Sequence, residues 1–331
     1  MSPCIFTSGT DSILPAYFAD PANLIAALPA VMGYTAERSL ILFGVKADKM
    51  AIAMRVDLTS ALVDHVAEFA HDMARANIVA VNAVVVDECG VLCPLCSSDH
   101  RRLCEELAAA LVAEKIELRG AHVVDVIAAG GQWRCLDGCG AVGDVPDPAI
   151  SPLAIEALVA GRQVYDRRDD LRAVIAITDP TRTATLGKVI AGCANGVRAE
   201  AAVAAARAAA ALLAANGDIN DTRIAGLVLA LEDGPARDAL YGLAADPDAE
   251  PLGGLWAFLA RTTPDPWRAD VLVMVALHAY LRFDTPLVAA AVEAARAADP
   301  GNRMAGLLYE ALRSGARPDK IGDVITAAQP R

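Results

Sequence analysis

Two cysteine doublets carry the clearest chemical signal in this chain of 331 residues: Cys93-Pro94-Leu95-Cys96 and Cys135-Leu136-Asp137-Gly138-Cys139-Gly140. Closely spaced thiols beside a tight turn can direct both sulfurs to one side of a loop, and two such loops can complete a tetrahedral thiolate site. Zinc held by Cys93, Cys96, Cys135 and Cys139 is the first expectation, with Cys89, His100 and Cys104 as reserve ligands. Such a site would be structural, adding folding free energy rather than turnover.

Two other readings compete. A C-P-x-C pair that follows a strand and opens a helix can have one thiol activated by the helix N-terminus, which would make Cys93 a nucleophile and Cys96 its resolving thiol in thiol-disulfide oxidoreduction. Against it, the expected strand order differs from the thioredoxin one and the second doublet is left unexplained. Cysteine is also among the most buried side chains, so the doublets can be small apolar fillers. Cys104 fits that role, beside Leu103 and three residues before Leu107, while Cys4 and Cys193 have no neighbouring thiol.

Other reactive constellations are missing or out of context. No G-x-x-x-x-G-K-[ST], H-E-x-x-H or G-x-S-x-G occurs. Gly138 to Gly143 matches G-x-G-x-x-G, but Pro146 and Pro148 follow where a phosphate-binding helix would have to begin. His65, His71, His122 and His278 are scattered and read as structural. Arg55 and Asp57 alternate on one strand face, which suggests an ion pair or, if a ligand reaches that face, a small-molecule sensor. Trp256, Phe258, Trp267 and Phe283 read as helix-packing residues.

The elements that must position the thiols follow from periodicity. Asp20-Pro21 caps and opens a helix carrying Leu24, Ile25 and Leu28, ended by Gly33. Ser39 to Val45 and Met50 to Asp57, joined at Lys46 to Lys49, form a hairpin. Ser60 caps a second helix with Leu62, Val66, Phe69 and Met73 on one face. Ile78 to Val86 is a strand buried on both faces that feeds the first cysteine loop. Ser97 or Ser98 caps a helix with the stripe Leu103, Leu107, Leu111, and the hairpin of Ala121 to Ala128 and Gln132 to Leu136 carries the second doublet. Gly143 to Pro152 is the best linker.

Beyond it, helical patterns alternate with Asn195-Gly196, Asn216-Gly217, Gly234-Pro235, Asp246-Pro247, Asp265-Pro266 and Asp299-Pro300. Leu272 to Phe283, Pro286 to Ala298 and Asn302 to Ser314 read as successive helices, with Ala276, Ala279, Ala295 and Pro300 near the small and proline positions of a tetratricopeptide-like unit. A plain bundle is the preferred alternative. The fold class is thus α/β plus all-α: a mixed sheet with packed helices over residues 1–150, then a helical domain over 151–331.

Composition narrows the partners. A net charge of −12 repels phosphate backbones and anionic lipid surfaces, so no nucleic acid and no membrane partner is expected. Alanine inflates the apolar fraction of 55%, and the alanine-rich stretch from Ala199 to Ala215 carries Arg207 and lacks the apolarity of a span. The first residues show no basic segment followed by an apolar run, so a cytoplasmic protein is expected, in which free thiols or metal ligands outnumber disulfides.

Leu28-Pro29-Ala30-Val31-Met32-Gly33-Tyr34 with Ser39-Leu40 opening a strand resembles the hallmark of the actinobacterial domain of unknown function 4192. Arg55-Val56-Asp57-Leu58, Trp133 to Cys139, Leu158 to Arg162, and Ala297 to Gly301 with Leu307-Leu308 and Ala311-Leu312 are similar to later blocks of that family. The resemblance implies no activity and transfers no catalytic residue; Cys135 and Cys139 fall within one of its cysteine-bearing blocks. The resulting expectation is a non-catalytic binding or scaffolding protein with structural zinc, engaging a protein partner or a second copy through its helical half.

Overall fold

The computed structural model describes residues 2–4, 19–46, 49–193, 198–246 and 250–314. The turn at Ala47-Asp48, Asn195-Gly196 and Pro247 lie outside the described residues. The chain divides into two compact units, Met1–Asp170 with Leu312–Gly315, and Leu171–Ala311 with Ala316–Arg331.

Among the described residues the first unit has seven strands: β1 (Ser2–Cys4), β2 (Ser39–Lys46), β3 (Lys49–Asp57), β4 (Ala80–Val86), β5 (Glu117–Val124), β6 (Gln132–Cys135) and β7 (Val142–Asp144). Their order across the sheet is β1-β3-β2-β4-β5-β6-β7. Only the β4–β5 pair is parallel, because only there does a helix cross between neighbouring strands. The sheet is mixed, as its order of elements predicts. The two edge strands depart from the expected elements: β1 lies outside the periodic segments, and β7 overlaps the start of the glycine- and proline-rich stretch that reads as linker.

Helix α1 (Pro21–Met32) starts where Asp20 accepts the Ala22 amide at 3.0 Å and ends at Gly33, whose φ of 73° satisfies a left-handed cap. The second helix departs from expectation. Ser60 caps nothing; the chain enters through a 3-10 turn at Leu62–His65 and becomes α2 only at Val66–Arg75, with Val66, Phe69 and Met73 buried. Helix α3 (Pro94–Ala113) begins earlier than a serine cap implies, with Cys93 at the N-cap and Pro94 in its first turn. That shift places Cys93 and Cys96 one helical turn apart. Helix α4 (Pro152–Val159) is capped by Ser151, which accepts the Ala154 amide at 3.2 Å.

Alternation along the strands divides the sheet into two faces. On one lie Leu42, Ala83, Val85, Ala121 and Val123, in register with one another and covered by α3, whose Leu103, Leu107 and Leu111 are buried. On the other lie Phe43, Asn82, Gly120, His122 and Cys135, with Pro21 and Leu24 of α1 near them. Every residue of β4 but Asn82 is buried, the signature of a central strand covered on both sides.

The second unit is helical, as the proline and glycine punctuation predicts. It begins within α5 (Arg168–Ala173) and continues through α6 (Pro180–Gly192), α7 (Ala199–Ala214), α8 (Asp221–Ala230), α9 (Gly234–Gly242), α10 (Glu250–Thr262), α11 (Arg268–Leu281), α12 (Thr285–Ala298) and most of α13 (Arg303–Ser314). Helices α11 and α12 pack as an antiparallel pair, and α7 lies against α9 and α10. The close approach of α7 rests on Ala202, Ala206, Ala209 and Ala210, a buried stripe at helical spacing. Trp256 is buried in this unit, in line with a packing role. No helix among the described residues is long and apolar enough to cross a membrane.

Candidate metal centre and adjoining cavity

The second doublet sits on a turn that the sequence builds locally. Strand β6 delivers Cys135, whose amide donates to Ala141 O at 2.8 Å, and Leu136 N donates to Ala121 O at 2.8 Å, so the chain reverses between Leu136 and Ala141. Gly138 and Gly140 take φ of 88° and 78°, conformations in which a Cβ would be strained. Asp137 closes the turn by accepting the Cys139 amide at 3.0 Å and the Cys135 thiol proton. Its carboxylate therefore lies between two sulfurs.

The ligand atoms of Cys135, Asp137 and Cys139 lie within 4.8 Å of one another, and no other such group of three exists among the described residues. Burial pushes the Cys135 thiol up to about 12, and its bond to Asp137 adds to the rise. That bond, with the Cys139 amide, holds the Asp137 carboxyl below its ordinary range. A cation arriving here would replace the proton that now links sulfur to carboxylate.

Beside this turn is a cavity of about 320 Å³ on the sheet face under α1, lined both by apolar groups such as Leu24 and Phe43 and by Asn82, His122, Asp137 and the two thiols. His122 is directly opposite Cys135 in the β5–β6 ladder and meets Trp133 edge to face, with ring centroids 5.6 Å apart. It is only 7% exposed, and its Nδ1 has no hydrogen-bond partner. Burial lowers its pKa, with Asp137 pulling weakly the other way. A neutral imidazole thus stands at the wall of the cavity.

The first doublet is elsewhere. Gly90 of its loop abuts Val123, so close that a Cβ there would fall 2.6 Å from the valine side chain, and Arg134 donates to Val91 O at 3.1 Å. Val123 and Arg134 are paired residues on the face opposite His122 and Cys135. The loop that leads into the first doublet therefore packs on the face opposite His122 and Cys135, and among the described residues the ligand group of three or more that forms contains Cys135, Asp137 and Cys139 without Cys93 or Cys96. Of the reserve ligands, Cys89 lies in the first doublet's loop, its carbonyl accepting the Cys93 amide at 3.0 Å, His100 borders that loop and pairs with Asp87 at 2.7 Å, and Cys104 is buried on α3 with its thiol raised to about 12 by burial.

Asp137 and His122 were not singled out by spacing as parts of this site. The available signal for Asp137 was its place midway between Cys135 and Cys139; for His122 it was the register of the hairpin. The G-x-G-x-x-G match at Gly138 to Gly143 runs into strand β7, and no helix begins there. Arg55 and Asp57 form an ion pair on β3, with Arg55 also donating to Ser39 Oγ at 2.8 Å.

A family model described as "Domain of unknown function (DUF4192)" matches residues 21–319. No curated protein and no solved structure matches the chain.

Proposed function

The chain belongs to the DUF4192 family, and from that premise we propose that it acts by binding: Cys135, Asp137 and Cys139 hold a zinc ion at the wall of the cavity, and a small ligand occupies the cavity beside it. The observation that carries this is the convergence of three ligand atoms within 4.8 Å on residues that line a cavity of mixed apolar and polar groups. Two thiolates and a carboxylate suit zinc, which tolerates mixed sulfur and oxygen donors in a tetrahedral shell. Three protein ligands leave a fourth position, which a nitrogen or sulfur donor of the cavity's occupant would fill. His122, neutral and without a partner at Nδ1, supplies a polar contact to that occupant.

Zinc titration followed by thermal unfolding tests the reading. Zinc at about one hundred times its dissociation constant stabilises the native state by about 2.7 kcal/mol, seen as a rise in melting temperature. Cys139→Ser, an exposed position whose loss leaves the core intact, abolishes the rise. An equal rise in wild type and variant contradicts the assignment.

A further inference from the structure

Cys93 and Cys96 are not used by the zinc reading, and their surroundings are those of a second site. Strand β4 ends at Val86, and Asp87 turns the chain by accepting the Cys89 amide at 3.3 Å and pairing with His100. Cys93 N then donates to Cys89 O at 3.0 Å, and Ser97 N donates to Cys93 O at 2.9 Å, which starts the long helix α3. The two thiols stand one turn apart at its positive end, both half-buried. The backbone amide of Cys96, the Cys96 thiol and the Leu95 amide, in that order, favour the thiolate of Cys93 and lower its pKa. The Cys93 side chain first, then burial and the neighbouring negative groups, raise Cys96 to about 11. The pair is therefore asymmetric. Flanking it, Leu92 is 85% exposed and Leu95 78% exposed, an apolar surface set beside reactive sulfur.

We propose that Cys93 and Cys96 form a redox-active dithiol that exchanges with disulfides of polypeptides, Cys93 acting as nucleophile and Cys96 as resolving thiol. In the first step the Cys93 thiolate attacks one sulfur of the substrate disulfide; the Cys93–substrate disulfide forms, the substrate S–S bond breaks, and the second substrate sulfur leaves as a thiolate. In the second step the Cys96 thiol passes its proton to that thiolate and attacks Cys93, forming the Cys93–Cys96 disulfide and releasing the first substrate sulfur. The substrate gains two electrons and the protein dithiol loses two. A low-molecular-weight thiol, acting in the reverse sense, restores the dithiol. Leu92 and Leu95 give the preference for polypeptides over small disulfides, since an apolar segment flanking a substrate cysteine buries area against them.

Alkylation with limiting iodoacetamide, mapped by peptide mass, is the first test: Cys93 reacts about tenfold or more faster than Cys96. Oxidised glutathione then produces the Cys93–Cys96 disulfide in the wild type, a stable mixed disulfide on Cys93 in C96S, and neither in C93S. With insulin as the polypeptide probe and glutathione as reductant, the wild type accelerates disulfide reduction. The double variant L92S/L95S is about tenfold slower on insulin and unchanged toward glutathione disulfide. Equal alkylation of the two thiols, or no Cys93–Cys96 disulfide, overturns the dithiol. Turnover of glutathione disulfide without acceleration on insulin overturns the polypeptide preference. Because the modified residues are identified by position, failure here is distinguishable from failure of the zinc site.

Discussion

His122 and Cys135 stand directly opposite each other in the β5–β6 ladder, on the sheet face that carries the cavity. Cross-strand pairing fixes both side chains on one face, so a single register brings an imidazole beside the thiol that Asp137 engages. The candidate centre is thus a product of strand pairing plus one tight turn.

The buried, unpartnered Nδ1 of His122 has a stability cost of about 1–3 kcal/mol. His122→Phe keeps an aromatic ring against Trp133 and removes the orphan atom. Chemical denaturation is expected to show a variant as stable as wild type or more so, by up to that amount. The variant loses the stabilisation that ligands of the cavity confer. A large destabilisation would show that His122 is held for packing instead.

Much of this arrangement is legible in the chain itself. The Val-rich run of β4, the helical stripe Leu103, Leu107, Leu111 and the Asp20-Pro21 start of α1 follow directly from period and capping chemistry. What periodicity does not convey is the face on which a loop lands. Cys93 and Cys135 look equivalent as thiols near turns, yet the first loop is tied through Gly90 to Val123 and the second lies with His122, one residue away on β5 and therefore on the opposite face. The role of Asp137 was hidden for another reason: a carboxylate between two cysteines reads as turn polarity until its bonds to both neighbours are seen.

Glycines on the β5–β6 connection separate two kinds of constraint. At Gly131 a Cβ would lie 2.1 Å from the backbone oxygen of Val126, which cannot rotate away, whereas Gly130 has open space but a φ of 81°. Gly131→Ala is expected to destabilise by about 2 kcal/mol or more through overpacking, and Gly130→Ala by about 1 kcal/mol through backbone strain. Equilibrium urea unfolding of the two variants gives the ranking.

His278 sets an acid limit on the helical unit. Buried on α11, with Gly253 of α10 against its ring and Arg282 at 3.2 Å from Nδ1, it is pushed down to about 4 from an ordinary 6.5, first by burial and then by the Arg282 charge. Between those pH values the unfolded chain takes up a proton that the native protein refuses. Stability from this group is fully present above pH 6.5 and falls as pH drops toward 4, by about 3 kcal/mol in all. His278→Gln flattens the stability profile across that window by about one proton, and an unchanged slope would contradict the assignment.

The central claim is that a zinc ion is held by two sulfurs and one carboxylate, and X-ray absorption at the zinc edge of the zinc-loaded protein tests it most directly. A shell of two sulfurs at about 2.3 Å and lighter donors at about 2.0–2.2 Å is the predicted result, with both sulfurs lost in the Cys135→Ser, Cys139→Ser double variant. A shell of four sulfurs, or one containing none, contradicts it.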